Sequence, residues 1–199
     1  MVQLRPAEQP PSPRRKTLVR FADHPATEVD VFVAAPPEQV WPLVSEINTA
    51  SRFGTELQKA VWQEVEGLEG PPPCLGARFT GHNFHAARGG WETTNVIVAC
   101  EPNQVFSWSV GDDPSFPAAT WRFELAPEDG GTRLRFWARM GPGPSGTTAV
   151  IEKMPDKEER IIARRLEEWE KNMTATVTGI KELAEARGLH LPPGTENQA

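Results

Sequence analysis

Residues 156–187 read DKEERIIARRLEEWEKNMTATVTGIKELAEAR, and Ile162, Leu166, Trp169, Met173, Val177, Ile180 and Ala184 recur in them at intervals of 4, 3, 4, 4, 3 and 4. Such intervals place all seven side chains on one stripe of an α-helix. Asp156 with Glu159 three residues on makes a capping-box-like start, and Gly188 suits the left-handed position after the last turn. At 1.5 Å per residue the helix is on the order of 45 Å long. An apolar stripe of that length must lie across something broad.

The rest of the chain supplies the broad partner. ATEVDVFVAA alternates, with Val29, Val31 and Val33 on one side, and stops at Pro36 and Pro37. PEQVWPLVSEI then spaces Val40, Val44 and Ile47 by four and three, which predicts a short helix despite Pro42 in its first turn. AVWQEV is a short strand and EGLEGPPPCLG a connection. ARFTGHNFHA, WETTNVIVAC, VFSWSV, TWRFEL and RLRFWARM follow as a meander of strands. A turn at Glu128-Asp129-Gly130-Gly131 sets Phe123 opposite Phe136, Leu125 opposite Leu134 and Glu124 opposite Arg135. Apolar pairs on one face and an ion pair on the other predict a sheet with one dry and one wet side.

Length, charge and cysteines narrow the classes. The 199 residues suit one domain, and a formal net charge of −6 gives no overall positive field for nucleic acid or anionic lipid. Cys74 and Cys100 are far apart in sequence with no CxxC, so both read as free thiols in a reducing, cytoplasmic setting. No stretch has the roughly 20 apolar residues of a membrane span. Residues 1–25, proline-rich and carrying Arg14, Arg15 and Lys16, read as a flexible arm, 26–187 as the domain, and 188–199 as a second tail. GPGPSG, residues 141–146, has the GxGxxG spacing but carries Pro142 and Pro144 where a phosphate cradle needs backbone N–H groups; there is no Walker A, no GxSxG and no HExxH, and we expect neither cofactor nor metal.

A strand, short helix, long antiparallel meander and final long helix form the order of an α+β helix-grip fold, the sheet wrapped around the C-terminal helix. FVAAPPEQVWPLVSEI, GARFTGHN, WETTNVIVACEP, FSW, TWRFEL with GGTRLRF, and NMTATVTGIKELAE resemble the START-like or Bet v 1-like (SRPBCC) superfamily, and within it the bacterial polyketide cyclase/dehydrase and lipid transport branch. The resemblance covers roughly residues 26–186. It implies a deep cavity between sheet and last helix for a polyketide, lipid or sterol, and a protein that acts on that ligand or merely carries it. A third class, a protein-interaction module of the chaperone-cofactor type, stays open, as do a monomeric or homodimeric state and the ligand's identity. Cyclases of the superfamily resemble acid/base machines that often use tyrosine or arginine, and this chain contains no tyrosine.

Alternation turns Phe106, Trp108, Trp121, Phe123 and Phe136 inward, and Trp169 and Met173 lie on the helix stripe, so these are the expected ligand-binding or core aromatics and their neighbour. Gly81 and Gly179 remove side-chain volume from two facing elements, as a pocket requires and as close backbone packing also would. The Gly- and Pro-rich segments 111–119 and 141–150 read as connections that can gate entry. The remaining polar candidates sit in GHNFHAARGGWE, residues 81–92. A turn at Ala87-Arg88-Gly89-Gly90 sets His85 opposite Glu92, Asn83 opposite Thr94, Gly81 opposite Val96 and Phe79 opposite Val98, which makes His85 and Glu92 a candidate general acid/base dyad beside Phe79, Gly81, Asn83 and Thr94. The neighbouring hairpin objects. A four-residue turn at 101–104 pairs Ile97 with Trp108 and turns the other face inward, so one of the two hairpins must carry a bulge or a turn of another length. A polar hairpin end near solvent is the competing reading of the same residues.

Overall fold

A computed structural model describes residues 19–68, 70 and 72–188. The N-terminal basic triplet and residues 189–199 of the expected C-terminal tail lie outside the described residues, while Gly188, expected just past the last helix, is that helix's final residue. Seven antiparallel strands form one sheet: β1 (Ala26–Val33), β2 (Leu57–Trp62), β3 (Arg78–His85), β4 (Gly89–Glu101), β5 (Val105–Val110), β6 (Ala119–Glu128) and β7 (Gly131–Met140), in the order β1-β7-β6-β5-β4-β3-β2. Helix α1 (Pro37–Val44) follows β1, and α2 (Gly146–Lys153) and α3 (Glu158–Gly188) follow β7. This is the expected α+β helix-grip architecture. The β6–β7 hairpin has the expected register, Phe123 facing Phe136, Leu125 facing Leu134 and Glu124 facing Arg135. Positive φ at Asp129 and Gly130 gives its two-residue turn the twist that flanking strands need.

The 31-residue α3 packs chiefly along β1 and also touches β7, α1 and α2. Its stripe residues Ile162, Trp169, Met173, Val177, Ile180 and Ala184 are all buried. Ahead of it Pro155–Lys157 form a 3-10 turn, so the helix starts two residues later than the Asp156 expected from sequence. The 141–150 segment is also more regular than a connection. Ser145 accepts from Thr148 N at 3.1 Å and caps α2.

Residues 20–25, placed in the arm by composition, belong to the folded body. The Glu158 carboxylate accepts from the Phe21 backbone N at 2.8 Å and from Arg20 at 2.9 Å, and Pro25 O accepts from Met140 N at 3.0 Å.

Gly179 does not empty a pocket. A Cβ there would lie 2.3 Å from the Phe53 ring, so the missing side chain is what lets Phe53 press against α3. Gly179→Ala should therefore destabilise the protein by about 1–3 kcal/mol despite alanine's better helix propensity. In a Phe53→Leu background the same change should cost much less, which paired urea denaturation curves would show.

Candidate functional site

The site begins with strand register. In the β3–β4 hairpin only Ala86, Ala87 and Arg88 separate His85 from its partner Gly89, whose φ of 77° marks a three-residue loop with a glycine bulge. A turn one residue shorter and placed earlier than expected slips the register by three and exchanges the faces. His82 now faces Glu92, Gly81 faces Thr93, Asn83 faces Trp91, Phe79 faces Asn95 and Thr80 faces Thr94. The second hairpin adds a bulge between Ile97 and Ala99, which leaves Ile97 opposite Trp108 as that hairpin required.

The expected His85–Glu92 dyad therefore does not form. Glu92 turns to the outer face, where its carboxylate lies 3.0 Å from His82 Nδ1 with both side chains well exposed. His85 points to the helix side. Its Nδ1 accepts from Ala87 N at 3.2 Å, which leaves the proton of the neutral ring on Nε2, 3.7 Å from Glu168. Thr94, on Glu92's face, is likewise removed from the inner side-chain row.

Between the concave face and α3 lies a cavity of about 730 Å³. Phe79, Gly81, Asn83, Thr94, Phe106, Trp108, Trp121, Phe123, Phe136, Trp169 and Met173, all singled out from sequence, line it, Glu92 borders it as well, and His85 does not. The aromatics are ordered by the inward row that runs Ile97, Trp108, Trp121, Ala138 across four strands, and by the next row, Phe106, Phe123, Phe136. Trp108 stacks on Trp121 with ring centres 6.2 Å apart and planes 9° from parallel, and Trp169 of α3 meets Trp121 at 4.9 Å. Phe123 and Phe136 stack at 3.9 Å behind them. The Trp169 indole N–H is buried and has no hydrogen-bond partner among the described residues. A ligand acceptor in the cavity would relieve that cost of about 1–3 kcal/mol.

One wall is polar, and composition gave no sign of it. Arg165 is 8% exposed, reaches Glu56 by a two-pronged ion pair with one arm at 2.6 Å, and holds Glu168 at 3.2 Å. Its guanidinium also lies over the Trp169 ring, 5.4 Å from the centre. Burial works against charge on Glu168, but hydrogen bonding and attraction from Arg165, helped by Arg88 and Arg164, hold its carboxyl below the usual range. Burial likewise opposes charge on Arg165, yet Glu56 and Glu168 raise its pKa above the ordinary arginine value. Asn172 accepts from Thr55 N at 2.7 Å and pins the loop carrying Glu56 to α3. On the sheet, buried Asn95 donates to Thr93 O at 3.0 Å and Asn83 to Gly81 O at 3.1 Å. The missed signal was helical spacing: Arg165, Trp169, Asn172 and Thr176 recur at 4, 3 and 4, a polar flank beside the apolar stripe.

These features can be compared with known proteins. Residues 24–179 match the family described as polyketide cyclase/dehydrase and lipid transport. The chain belongs to that family. A polyketide-cyclase-like protein from Corynebacterium glutamicum, solved by solution NMR, is 30% identical, with a TM-score of 0.56 over 85% of this chain and 97% of that one. An aromatase/cyclase from Streptomyces sp. R1128 shares the fold at 17% identity and a TM-score of 0.58, covering 82% of this chain and 95% of that one. A di-domain aromatase/cyclase of the steffimycin biosynthetic pathway does so at 18% identity and 0.61, covering 82% of this chain and 51% of that one. No curated protein matches. Family membership and the aromatic cavity together make this a domain for binding a hydrophobic small molecule. Among the described residues no helix is long and apolar enough to cross a membrane, and no cluster of three metal-ligating side chains occurs.

Removing one partner of a buried ion pair costs about 3–5 kcal/mol because the other charge is stranded. Arg165→Met should lose about that much at neutral pH, and adding Glu56→Leu should restore most of it. Glu168, its folded pKa depressed, contributes stability that is full above the unfolded carboxylate pKa of about 4.3 and vanishes as pH falls through the lower folded value. In Arg165→Met the acid limb of a denaturation series should accordingly be flatter than in the parent.

Proposed function

We propose that the chain binds one largely apolar, partly aromatic molecule, polyketide- or lipid-like, with its rings against Trp108, Trp121 and Trp169. The observation that carries this reading is the Trp108–Trp121–Trp169 ladder at the cavity wall, ending in an indole N–H without a partner among the described residues. A core meant only to be filled gains nothing from an unpaired buried donor. A ligand with an acceptor at that position gains a hydrogen bond and ring contacts together.

Within this reading a carrier is favoured over a cyclase or dehydratase. Acid/base chemistry needs a group free to take or give a proton at the ligand. The Glu56 carboxylate at the polar wall is engaged by both arms of Arg165, and His85 and Glu92 lie on opposite faces of the sheet. Polyketide cyclisation remains the second reading, supported by the family and by the names of the aromatase/cyclase neighbours. We place the protein in the cytoplasm as a monomer or homodimer, with no nucleic-acid partner, on the strength of its acidity and its two free thiols.

Titration of tryptophan fluorescence with a tricyclic aromatic polyketide, a sterol and a long-chain fatty acid tests the binding. Saturable one-to-one quenching by the polyketide is expected, and Trp121→Leu should weaken it roughly tenfold, the equivalent of about 1.4 kcal/mol of lost ring contact. No saturable quenching by any of the three, or an affinity indifferent to Trp121→Leu, would contradict the reading.

A further inference from the structure

Outside the main cavity, where the β3–β4 turn, the start of α2 and the first turns of α3 converge, lies a second hollow of about 240 Å³. Arg88, Gly146, Thr147 and Arg165 line both spaces, so the two adjoin. The outer one has an unusual lining for a chain of net charge −6. Arg88, Arg164 and Arg165 surround a single carboxylate, Glu168, at 3.2 Å each, and His85 approaches the same carboxylate. Among the described residues, even with Glu56 counted against Arg165, three guanidiniums meet two carboxylates, which leaves one positive charge in excess. Lys157 adds another at the rim, its Nζ 3.6 Å from the Met154 sulfur.

The rest of the hollow is apolar. Val150, Met154 and Ile161 line it, and Val150 and Met154 are among the few large apolar side chains left substantially exposed. Ion pairing alone does not need exposed aliphatic neighbours, and a packed apolar patch does not need surplus guanidinium. An amphipathic anion needs both, because its charged end takes bidentate hydrogen bonds from arginine while the adjoining carbons leave water.

We propose that this hollow is the head-group site of the ligand: the molecule is an organic acid whose carboxylate lies against Arg88 and Arg164, beside Nε2 of His85, while its ring system lies in the main cavity. The site narrows the ligand to aromatic or long-chain carboxylic acids and excludes neutral sterols as the preferred occupant. It rests on the reading of the main cavity as a ligand site.

A matched pair of fluorescent probes separates the two claims. 9-Anthracenecarboxylate and 9-anthracenemethanol share a ring system and differ in charge. The carboxylate should bind at least tenfold more tightly at low salt, and the advantage should shrink at high salt, since part of the site is exposed. Arg164→Glu, a change at an exposed position outside the main cavity, should remove most of that advantage and leave the affinity for the alcohol unchanged. Arg88→Gln should lower the same ratio. Equal binding of the two probes, or a preference untouched by Arg164→Glu and Arg88→Gln, overturns the head-group site and leaves the main cavity standing. If neither probe binds, the cavity reading falls and the head-group site falls with it.

Discussion

One helix cannot cover seven strands. Strands spaced 4.7–4.9 Å apart make a sheet roughly 29 Å across, whereas a helix with its side chains is about 10–12 Å thick. Because α3 grips the edge formed by β1 and β7, no helix among the described residues packs closely on the concave face of β3, β4 and β5. Large rings fill part of the gap from the sheet side, and the remainder is the cavity. The apolar stripe of α3 and the width of the sheet thus determine that a hollow exists, and the residues on either side determine what it accepts.

Those residues impose opposite demands on α3. Along its C-terminal half Met173, Val177, Ile180 and Ala184 form a dry seam, and Gly179 brings the backbone close enough for Phe53 to pack on it. Toward its N-terminus the same helix carries Arg165 and Glu168, whose charges are held by Glu56, Arg88 and Arg164. Burying such a network costs solvation that neighbouring apolar packing must offset. The tethering of Glu158 to Phe21 and Arg20 brings the chain's N-terminal segment onto this end of the helix as well.

Period and turn chemistry made the architecture legible. The 3-4 spacing of α3, the two-residue alternation of the meander and the Asp129-Gly130 turn each had one sensible reading, and inward parity alone selected Phe106, Trp108, Trp121, Phe123 and Phe136. The polar part of the site was hidden for identifiable reasons. Register in the β3–β4 hairpin depended on whether Gly89 sat inside the turn or closed it as a bulge, and either choice agrees with the sequence AARGG. The difference moved Glu92 to the opposite face and replaced its pairing with His85 by one with His82. Arg165 and Glu56 are 109 residues apart, and a contact of that separation leaves no local pattern. Helix α2 was masked by the glycines and prolines just before it.

Occupation of the hollow under the tryptophans by a ligand can be read residue by residue, because the chain has seven tryptophans. In an amide and indole NMR spectrum of labelled protein titrated with an aromatic acid, the Trp169 indole N–H, which has no partner among the described residues, should move downfield as it gains an acceptor, and Trp108 and Trp121 should shift with it. The indole of Trp137, which lies on the outer face beneath Arg139, should stay in place. Shifts confined to Trp137 and other outer-face groups, with Trp169 unmoved at saturation, would contradict the account.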